Sequence, residues 1–592
     1  MLLSDDRQTT AILLRLEPEK TATAPRAQTI QQIRALAAAH DPVAVVGGEP
    51  IEIHDVFRYV EQDGWILGLA VSGLLMVVIF FMFLSPRWMI LPLAVVHVTL
   101  LWTRAGFYFS GVRLSMVSSM LTALVTIIGV TAVMYFTMSY REARLQDDAE
   151  TALRKALSRL AIPLFWSTFT TAIGFASLLT SRVGPVRSFG LMMAVGTLLV
   201  PLACALLLPA GTLLWVSRNA PTRLPLERGI ERLLHRLAGQ ITGAPLMFLL
   251  GAALIALVAA CGLPQLVVDT DFSKNFREDS PIVQAIDFFE ERFGGVGNWE
   301  VYFEAPAELD DTFLERVEEL VKRLEAIQLD DGEKLARVLA MTEPLSFVPP
   351  LVGTINQRLR KLDDVQPEVV SMFYNPQKKR MRIMLRARER QPAEAKSRLI
   401  AEVTRISLEI FPDAKITGPF VMLANLINSL MAGQMVSLGT CSFLIVLALW
   451  VAFGSLRMAV IALIPNVFPV LLVLGGMGWA HVPINVGTAM IASVSTGLSV
   501  GSSVHYLMIY RRLRRAGLNH VIAVAQTHSG VGLALVLSNV ARIIGFSILT
   551  ISAFVPLAWF GALDALAMLG GLVGNLVLLP VLLYERPVRE RE

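Results

Sequence analysis

Residues 127–144 read IIGVTAVMYFTMSYREAR, and residues 497–514 read GLSVGSSVHYLMIYRRLR. Both are apolar, helix-length runs closed by a Tyr-Arg pair, Tyr140-Arg141 in one and Tyr510-Arg511 in the other. The register extends outward on both sides at an offset of 370 residues, the distance from Tyr135 to His505. Gly48 matches Gly418, and Ser85 and Arg87 match Ser455 and Arg457. After a one-residue slip, Gly174-Phe175 matches Gly545-Phe546, Phe189-Gly190 matches Phe560-Gly561, and Pro209 matches Pro580. A duplicated hydrophobic bundle is a common plan of membrane transporters.

Composition agrees with that plan. Of 592 residues, 54% are hydrophobic and 17% charged, with a mean hydropathy of +0.58, which points to a polytopic membrane protein. Eleven apolar runs are long enough to cross a bilayer as helices. They lie at roughly 65–84, 88–104, 115–138, 160–180, 188–216, 245–263, 434–453, 457–479, 485–508, 529–553 and 557–583. Arg87, the segment 141–159, Arg218 to Arg236, Arg511 to Arg515 and the tail RPVRERE share one side of the alternating topology. By the positive-inside rule that side is the cytoplasm. The large polar segments 1–63 and 264–433 are then extracytoplasmic, and the expected location is the cytoplasmic (inner) membrane. The net charge of +4 offers nothing to nucleic acid. Cys204, Cys261 and Cys441 sit in apolar runs, so neither a disulfide framework nor a metal site is expected.

The expected organisation follows the repeat. Residues 1–63 are the C-terminal part of a first extracytoplasmic domain, and 64–216 are a first bundle of five helices. Residues 217–243 are a cytoplasmic linker, 244–263 the first helix of the second half, and 264–433 a second extracytoplasmic domain. A second five-helix bundle fills 434–585, and 586–592 are a cytoplasmic tail. In 264–433, Trp299 to Ala305 and Lys379 to Ala387 alternate like strands. TFLERVEELVKRLEAI and Glu394 to Ile410 have helical spacing, and Ala414 to Ile416 ends the domain as a strand. This order suits a small α+β domain. Residues 5–63 repeat its last part, with a strand at Thr10 to Leu16, a helix at Thr29 to Ala39 and a strand ending at Gly47-Gly48. Tyr374-Asn375 stands against Ser4-Asp5. Nothing matches the helix at 245–263, so the chain reads as a twelve-helix plan lacking its first helix, with a truncated start as the expected cause. The mixed-charge segment 141–159 reads as an amphipathic helix at the membrane surface.

Several of these residues carry a family likeness. VVDTDFSKNFREDSPIVQAIDFFEERFGG after a membrane helix, TTAIGF at 170–175, the Phe-Gly pairs and the helix-ending Tyr-Arg pairs resemble the resistance–nodulation–division (RND) superfamily, specifically its MMPL-like exporters. The resemblance implies two pseudo-symmetric helix bundles with α+β (porter-like) outer domains. It also implies export of lipids or other hydrophobic molecules driven by the proton gradient. In that family the fourth and tenth helices usually carry an Asp three or four residues before the position of Tyr135 or His505. Here those places hold Thr131 and Ala132 in one half and Gly501 and Ser502 in the other, and Asn575 stands where an acid is common.

A proton-driven cycle needs a group inside the membrane whose charge can change. Three candidates remain. His505 is one, since imidazole titrates in the physiological range. The others are Arg542 and Asp564, whose counterparts in the first half are the uncharged Thr171 and Met193. Their helices form a hairpin turning near Val555-Pro556, which puts the pair at similar depth. Either Asp564 is a relocated proton or ion site with Arg542 as counter-charge, or the two form a static ion pair. A neighbouring guanidinium opposes proton uptake, which favours the static pair.

The glycines Gly475, Gly476, Gly478, Gly487, Gly497 and Gly501 are expected to let helices approach closely. Asp269, Asp271, Glu290 and Glu291 read as solvated surface rather than metal ligands. No phosphate-binding loop or hydrolase triad is present, so neither ATP use nor an enzyme is expected, and no cofactor is implied. The expected function is export of a lipid or other hydrophobic substrate by an RND-type secondary transporter. The expected partners are membrane lipids and that substrate, with a homo-oligomer open. The main rival is a transport-silent, lipid-sensing or scaffolding relative, and a third option is an auxiliary factor in protein export.

Overall fold

The duplication is written into the backbone. The computed structural model describes residues 2–4, 7–12, 14, 16–19, 21–40, 42–111, 120–214, 225–267, 271–329, 334–349 and 353–584. Gly48 and Gly418 take φ of 121° and 125°. Leu84 and Gly454 take φ of 48° and 64°, a left-handed conformation that costs glycine little and leucine more. Ser85 and Ser455 then cap the next helix in extended geometry, with φ of −146° and −149°.

The first half contributes α1 (Glu49–Phe83), α2 (Pro86–Ser110), α3 (Met120–Arg144), α4 (Ala149–Ala176) and α5 (Gly184–Leu214). The second contributes α6 (Pro245–Ala260), α7 (Pro419–Phe453), α8 (Leu456–Trp479), α9 (Thr488–Arg515), α10 (His520–Ile551) and α11 (Val555–Leu582). By length and composition, ten helices among the described residues can cross a membrane. The eleventh expected run, 485–508, forms α9, whose serines and threonines lower its hydropathy. It is the most enclosed helix, buried at every position from Thr488 to Leu507.

Matched residues make matched contacts. A Cβ on Gly190 would lie 2.6 Å from the Phe175 carbonyl oxygen, and one on Gly561 would lie 2.5 Å from that of Phe546. Phe175 meets Phe189 edge-on at 6.0 Å, and Phe546 meets Phe560 at 6.2 Å. Arg141 lies over the Phe83 ring at 5.2 Å, and Arg511 over Phe453 at 5.5 Å. The halves meet through α4 against α9 and α3 against α10. Gly174 and Gly497 face each other so closely that a Cβ on either would lie 2.8 Å from the other's Cα. The related contact in the other half sets Gly545 against the Ile127 side chain.

The segment 141–159 does not form a surface helix of its own. α3 runs through Arg144, the chain turns, and Asp148 caps α4 by accepting from the Glu150 and Thr151 backbone N–H groups. The charges decorate the ends of two long helices, because a turn with a strong cap joins them directly. Within the expected linker, Pro225–Gly243 is an amphipathic helix that buries Leu234, Ala238 and Ile241. Its Glu227 pairs with Arg141 at 2.8 Å. Residues 217–224 of the linker and the tail 586–592 lie outside the described residues.

Met1–Val56 and Val268–Asn428 form a second compact unit. Its sheet joins β1 (Gly297–Glu304), β2 (Arg337–Leu339), β3 (Tyr374–Asn375), β4 (Arg380–Ala387) and β5 (Lys415–Thr417). The order is β2-β4-β1-β5, with β3 also on β4, and all pairs are antiparallel. β1 alternates inward and outward, burying Trp299, Val301 and Phe303. The helix Asp311–Glu325 covers them with Phe313, Val317, Leu320 and Leu324 at helical spacing. Strands β2 and β3 and the helix Pro281–Phe293 went unread in the sequence. In the N-terminal part the helix is present as Arg26–Ala38. Among the described residues of its expected strands, Thr10–Ala11 pairs with Leu2–Leu3. The stretch before Gly48 has no ladder. Its counterpart β5 pairs with β1.

Candidate functional site

α9 carries the polar core of the membrane unit. Its small residues admit neighbouring helices closely: a Cβ on Gly501 would lie 2.5 Å from Ser167 Oγ, and one on Gly487 2.1 Å from the Pro556 carbonyl oxygen. Its serines then reach out of the helix to polar groups on the helices around it.

Asp564 on α11 is wholly buried. One carboxyl oxygen accepts a hydrogen bond from Ser495 Oγ on α9, and the other has no hydrogen-bond partner. Arg542 on α10 is also buried, but it turns elsewhere. Its Nη1 donates to the Leu498 carbonyl oxygen at 3.1 Å, and its Nε donates to Thr131 Oγ1 of the first half at 3.4 Å. The expected Arg542–Asp564 ion pair is therefore not formed. Similar depth brought both charges to α9, but Leu498 and Ser495 are three residues apart on it, about 4.5 Å along the axis. Each group bonds to α9 rather than to the other.

His505 stacks face to face on Tyr135, its own counterpart in the repeat, with ring centroids 4.1 Å apart and planes 10° from parallel. His505 Nε2 has no hydrogen-bond partner, and the Tyr135 hydroxyl is turned to Arg542. Arg542 lies within electrostatic reach of both rings. Thr131 donates to the Ile127 carbonyl oxygen at 2.7 Å while receiving Arg542. Ala132 is buried.

Two of the remaining relay positions hydrogen-bond to neighbouring helices. Ser502 Oγ accepts from Asn539 Nδ2 at 3.3 Å. Asn575 Nδ2 donates to Asn466 Oδ1 at 3.1 Å and to the Gly571 carbonyl oxygen at 2.8 Å, and Asn575 Oδ1 accepts from Ser503. Sequence reading missed Ser495, Ser503, Asn466 and Asn539. The two asparagines stood in apolar runs, and intramembrane polarity was the signal that could have found them. The serines carried none, since α9 is serine-rich throughout.

Outside the membrane unit, Glu290 accepts from the Glu389 and Arg390 backbone N–H groups, and Asp271 caps a short turn through Ser273. Glu291 is exposed, and Asp269 lies outside the described residues. Among the described residues no group of three His, Cys, Asp or Glu is placed to hold a metal ion.

The profile of the MMPL family matches residues 1–248 and 317–584. The chain belongs to the MMPL family. A membrane protein of Methanocaldococcus jannaschii is 23% identical over 380 residues, covering 60% of this chain and 94% of that protein. One of Streptomyces coelicolor is 24% identical over 276 residues, covering 44% and 32%. Among solved structures, the hedgehog release protein Disp of the water bear Hypsibius dujardini superposes with a TM-score of 0.64 at 15% identity. That match covers 94% of this chain and 74% of Disp. SecDF, a translocon-associated membrane protein of Thermus thermophilus, gives 0.52 at 14% identity, covering 88% and 62%. Both neighbours are RND-superfamily members, so this MMPL chain has the RND-type fold with two repeated halves. It is an integral membrane protein of transporter-like character.

Proposed function

We propose that this MMPL protein exports a lipid or other hydrophobic substrate from the cytoplasmic (inner) membrane, driven by the proton gradient, with Asp564 as the proton-carrying group. The carrying observation is the Asp564 carboxyl, wholly buried, with one oxygen held by Ser495 and the other without a partner. A carboxyl free of an ion pair is open to proton exchange in a way that a carboxylate locked to Arg542 is not. Ser495 lies on α9, the helix packed against α4 of the other half, so a change at Asp564 acts on the contact between halves. The large soluble unit, on the extracytoplasmic side, would collect substrate.

In proteoliposomes holding a pH gradient, the wild-type protein is expected to dissipate it in a substrate-dependent manner. D564N is expected to assemble and lose that flux. Undiminished flux in D564N removes Asp564 from the mechanism.

One observation favours a second reading. With Thr131, Ala132, Gly501 and Ser502 at the relay positions, neither α3 nor α9 has a carboxylate there, which suits a transport-silent lipid sensor or scaffold. On that reading neither wild type nor D564N moves protons under any substrate.

A further inference from the structure

Two widened turns meet between α10 and α11. His528–Gly532 in α10 and Gly574–Leu578 in α11 are π-turns, a form that recurs at functional sites. In an α-helix the Leu576 carbonyl would accept from residue 580, but Pro580 has no N–H to give. His528 Nε2 lies 3.0 Å from that carbonyl oxygen and supplies the missing donor. The imidazole is wholly buried.

Its other nitrogen has two partners of different kinds. Nδ1 lies 3.1 Å from the Val524 carbonyl oxygen, which can only accept, and 3.1 Å from the Tyr506 hydroxyl of α9, which can also donate. A neutral ring donates from Nε2 and receives the Tyr506 hydrogen at Nδ1. A protonated ring donates from both nitrogens, to Leu576 and to Val524, while the hydroxyl turns away. One hydroxyl rotation therefore fits the pocket to either protonation state. His505, with Nε2 unpartnered, has no such arrangement.

His528 stands eight residues, about 12 Å, inside the end of α10 that adjoins Arg511 to Arg515, and Leu576 is twelve residues, about 18 Å, along α11 from Asp564. Between these depths α9 presents Ser495, Ser499, Ser503 and Tyr506 on one face at successive turns. Ser495 holds Asp564, and Tyr506 holds His528. Tyr510 continues the row to the half-buried His520 ring at 2.9 Å. The titratable groups on this side are thus Tyr506 and the Tyr510–His520 pair. α11 presents a carbonyl, and the linker helix Pro225–Gly243 meets the π-turn with Leu234. Backbone carbonyls rather than charged side chains act on the imidazole. The first half has no copy of this pair: Phe136 stands for Tyr506, and Leu157 or Ser158 for His528.

Resting on the reading of Asp564 as proton carrier, we propose that His528 is a second proton-binding residue of the cycle, which takes the proton that Asp564 releases and passes it to the side of Arg511 to Arg515. In the first step the Asp564 carboxylic acid becomes a carboxylate and the His528 imidazole becomes an imidazolium. In the second the proton leaves from Nδ1 past Tyr506, Tyr510 and His520, which restores the neutral ring. The hydroxyls on that face of α9 are the route between the two residues.

Thr527-His528 is the one Thr-His pair in the chain, so labelling the whole protein with 13C-carbonyl threonine and 15N-histidine gives this residue its own NMR signal in lipid vesicles. On acidification from about pH 8 to about pH 5 the ring is expected to pass from the Nε2–H form to the doubly protonated one. That titration needs no variant, and D564N is expected to show it too. In vesicles of phosphatidylethanolamine and phosphatidylglycerol holding a pH gradient, H528Q is expected to lose about a hundredfold in proton flux. Y506F is expected to lose several-fold. A ring that keeps one protonation state across that range overturns the proposal, and so does H528Q flux equal to wild type. D564N flux equal to wild type, with H528Q flux lost, refutes the Asp564 reading while upholding proton transfer at His528. No flux in wild type overturns both.

Discussion

Tyr135 and His505 occupy the same position in the two halves and stack on each other at 4.1 Å, so the repeat meets itself across its own symmetry. Face-to-face stacking with His505 Nε2 unpartnered predicts a packing role for the imidazole. H505F keeps a flat ring of similar area and is expected to preserve assembly and melting temperature. Y135A opens a cavity at the junction and is expected to cost about 3–5 kcal/mol. Thermal melts of the detergent-solubilised variants check both, and an H505F that fails to assemble argues against a packing role.

The junction between halves is asymmetric in its tolerance. A methyl on Gly174 meets backbone at Gly497, whereas a methyl on Gly545 meets the Ile127 side chain. Side chains yield and backbone does not. G174A is expected to destabilise by about 1–3 kcal/mol, and G545A by distinctly less. Equal melting temperatures for the two variants would contradict this packing.

Arg542 and Asp564 are bonded to α9 separately, and this separates the structure from a static ion pair. R542M is expected to cost about 1.5–3 kcal/mol through its lost charge-assisted bonds. The exchange R542D/D564R is expected to worsen assembly, because it aims a carboxylate at the Leu498 carbonyl and a guanidinium at Ser495. Size-exclusion profiles of the single and double variants decide the matter; rescue by the exchange would restore the ion pair as the correct description.

In the second compact unit, Lys396 Nζ meets Glu389 Oε1 at 2.9 Å with both side chains buried, and Lys396 also lies 4.5 Å from the Phe420 ring centre. Burial pushes the Glu389 carboxyl above its usual range, Lys396 pulls it back, and Asp271 and Glu290 push it further up. The folded protein therefore holds this proton more tightly than the unfolded chain does. The associated stability is present below the ordinary glutamate value of about 4.3 and is lost as pH rises above it. E389Q is expected to flatten that part of the pH–melting curve, and K396M to steepen it. An E389Q curve that superposes on wild type refutes the assignment.

Much of this fold is legible in the chain itself. The register of the repeat, with its one-residue slip, paired Gly48 with Gly418, Ser85 with Ser455 and the two Phe-Gly motifs, and the structure gives each pair matching geometry. Alternation exposed β1 and β4, and helical spacing exposed the helix Asp311–Glu325 that covers them. Short strands such as β2 and β3 escaped, because two or three residues carry no period.

The site was legible only as a set of residues. Length and hydropathy determined which helix each charge occupies and at what depth, and comparison of the halves singled out Arg542 and Asp564. Whom they touch was decided by tertiary structure. Each residue turns a helix by about 100°, so small differences in how α10 and α11 rotate against α9 choose between a partner on the next helix and one on the third. That rotation is set by the glycine and serine surface of α9, a property of several helices packed together that no single stretch of sequence contains.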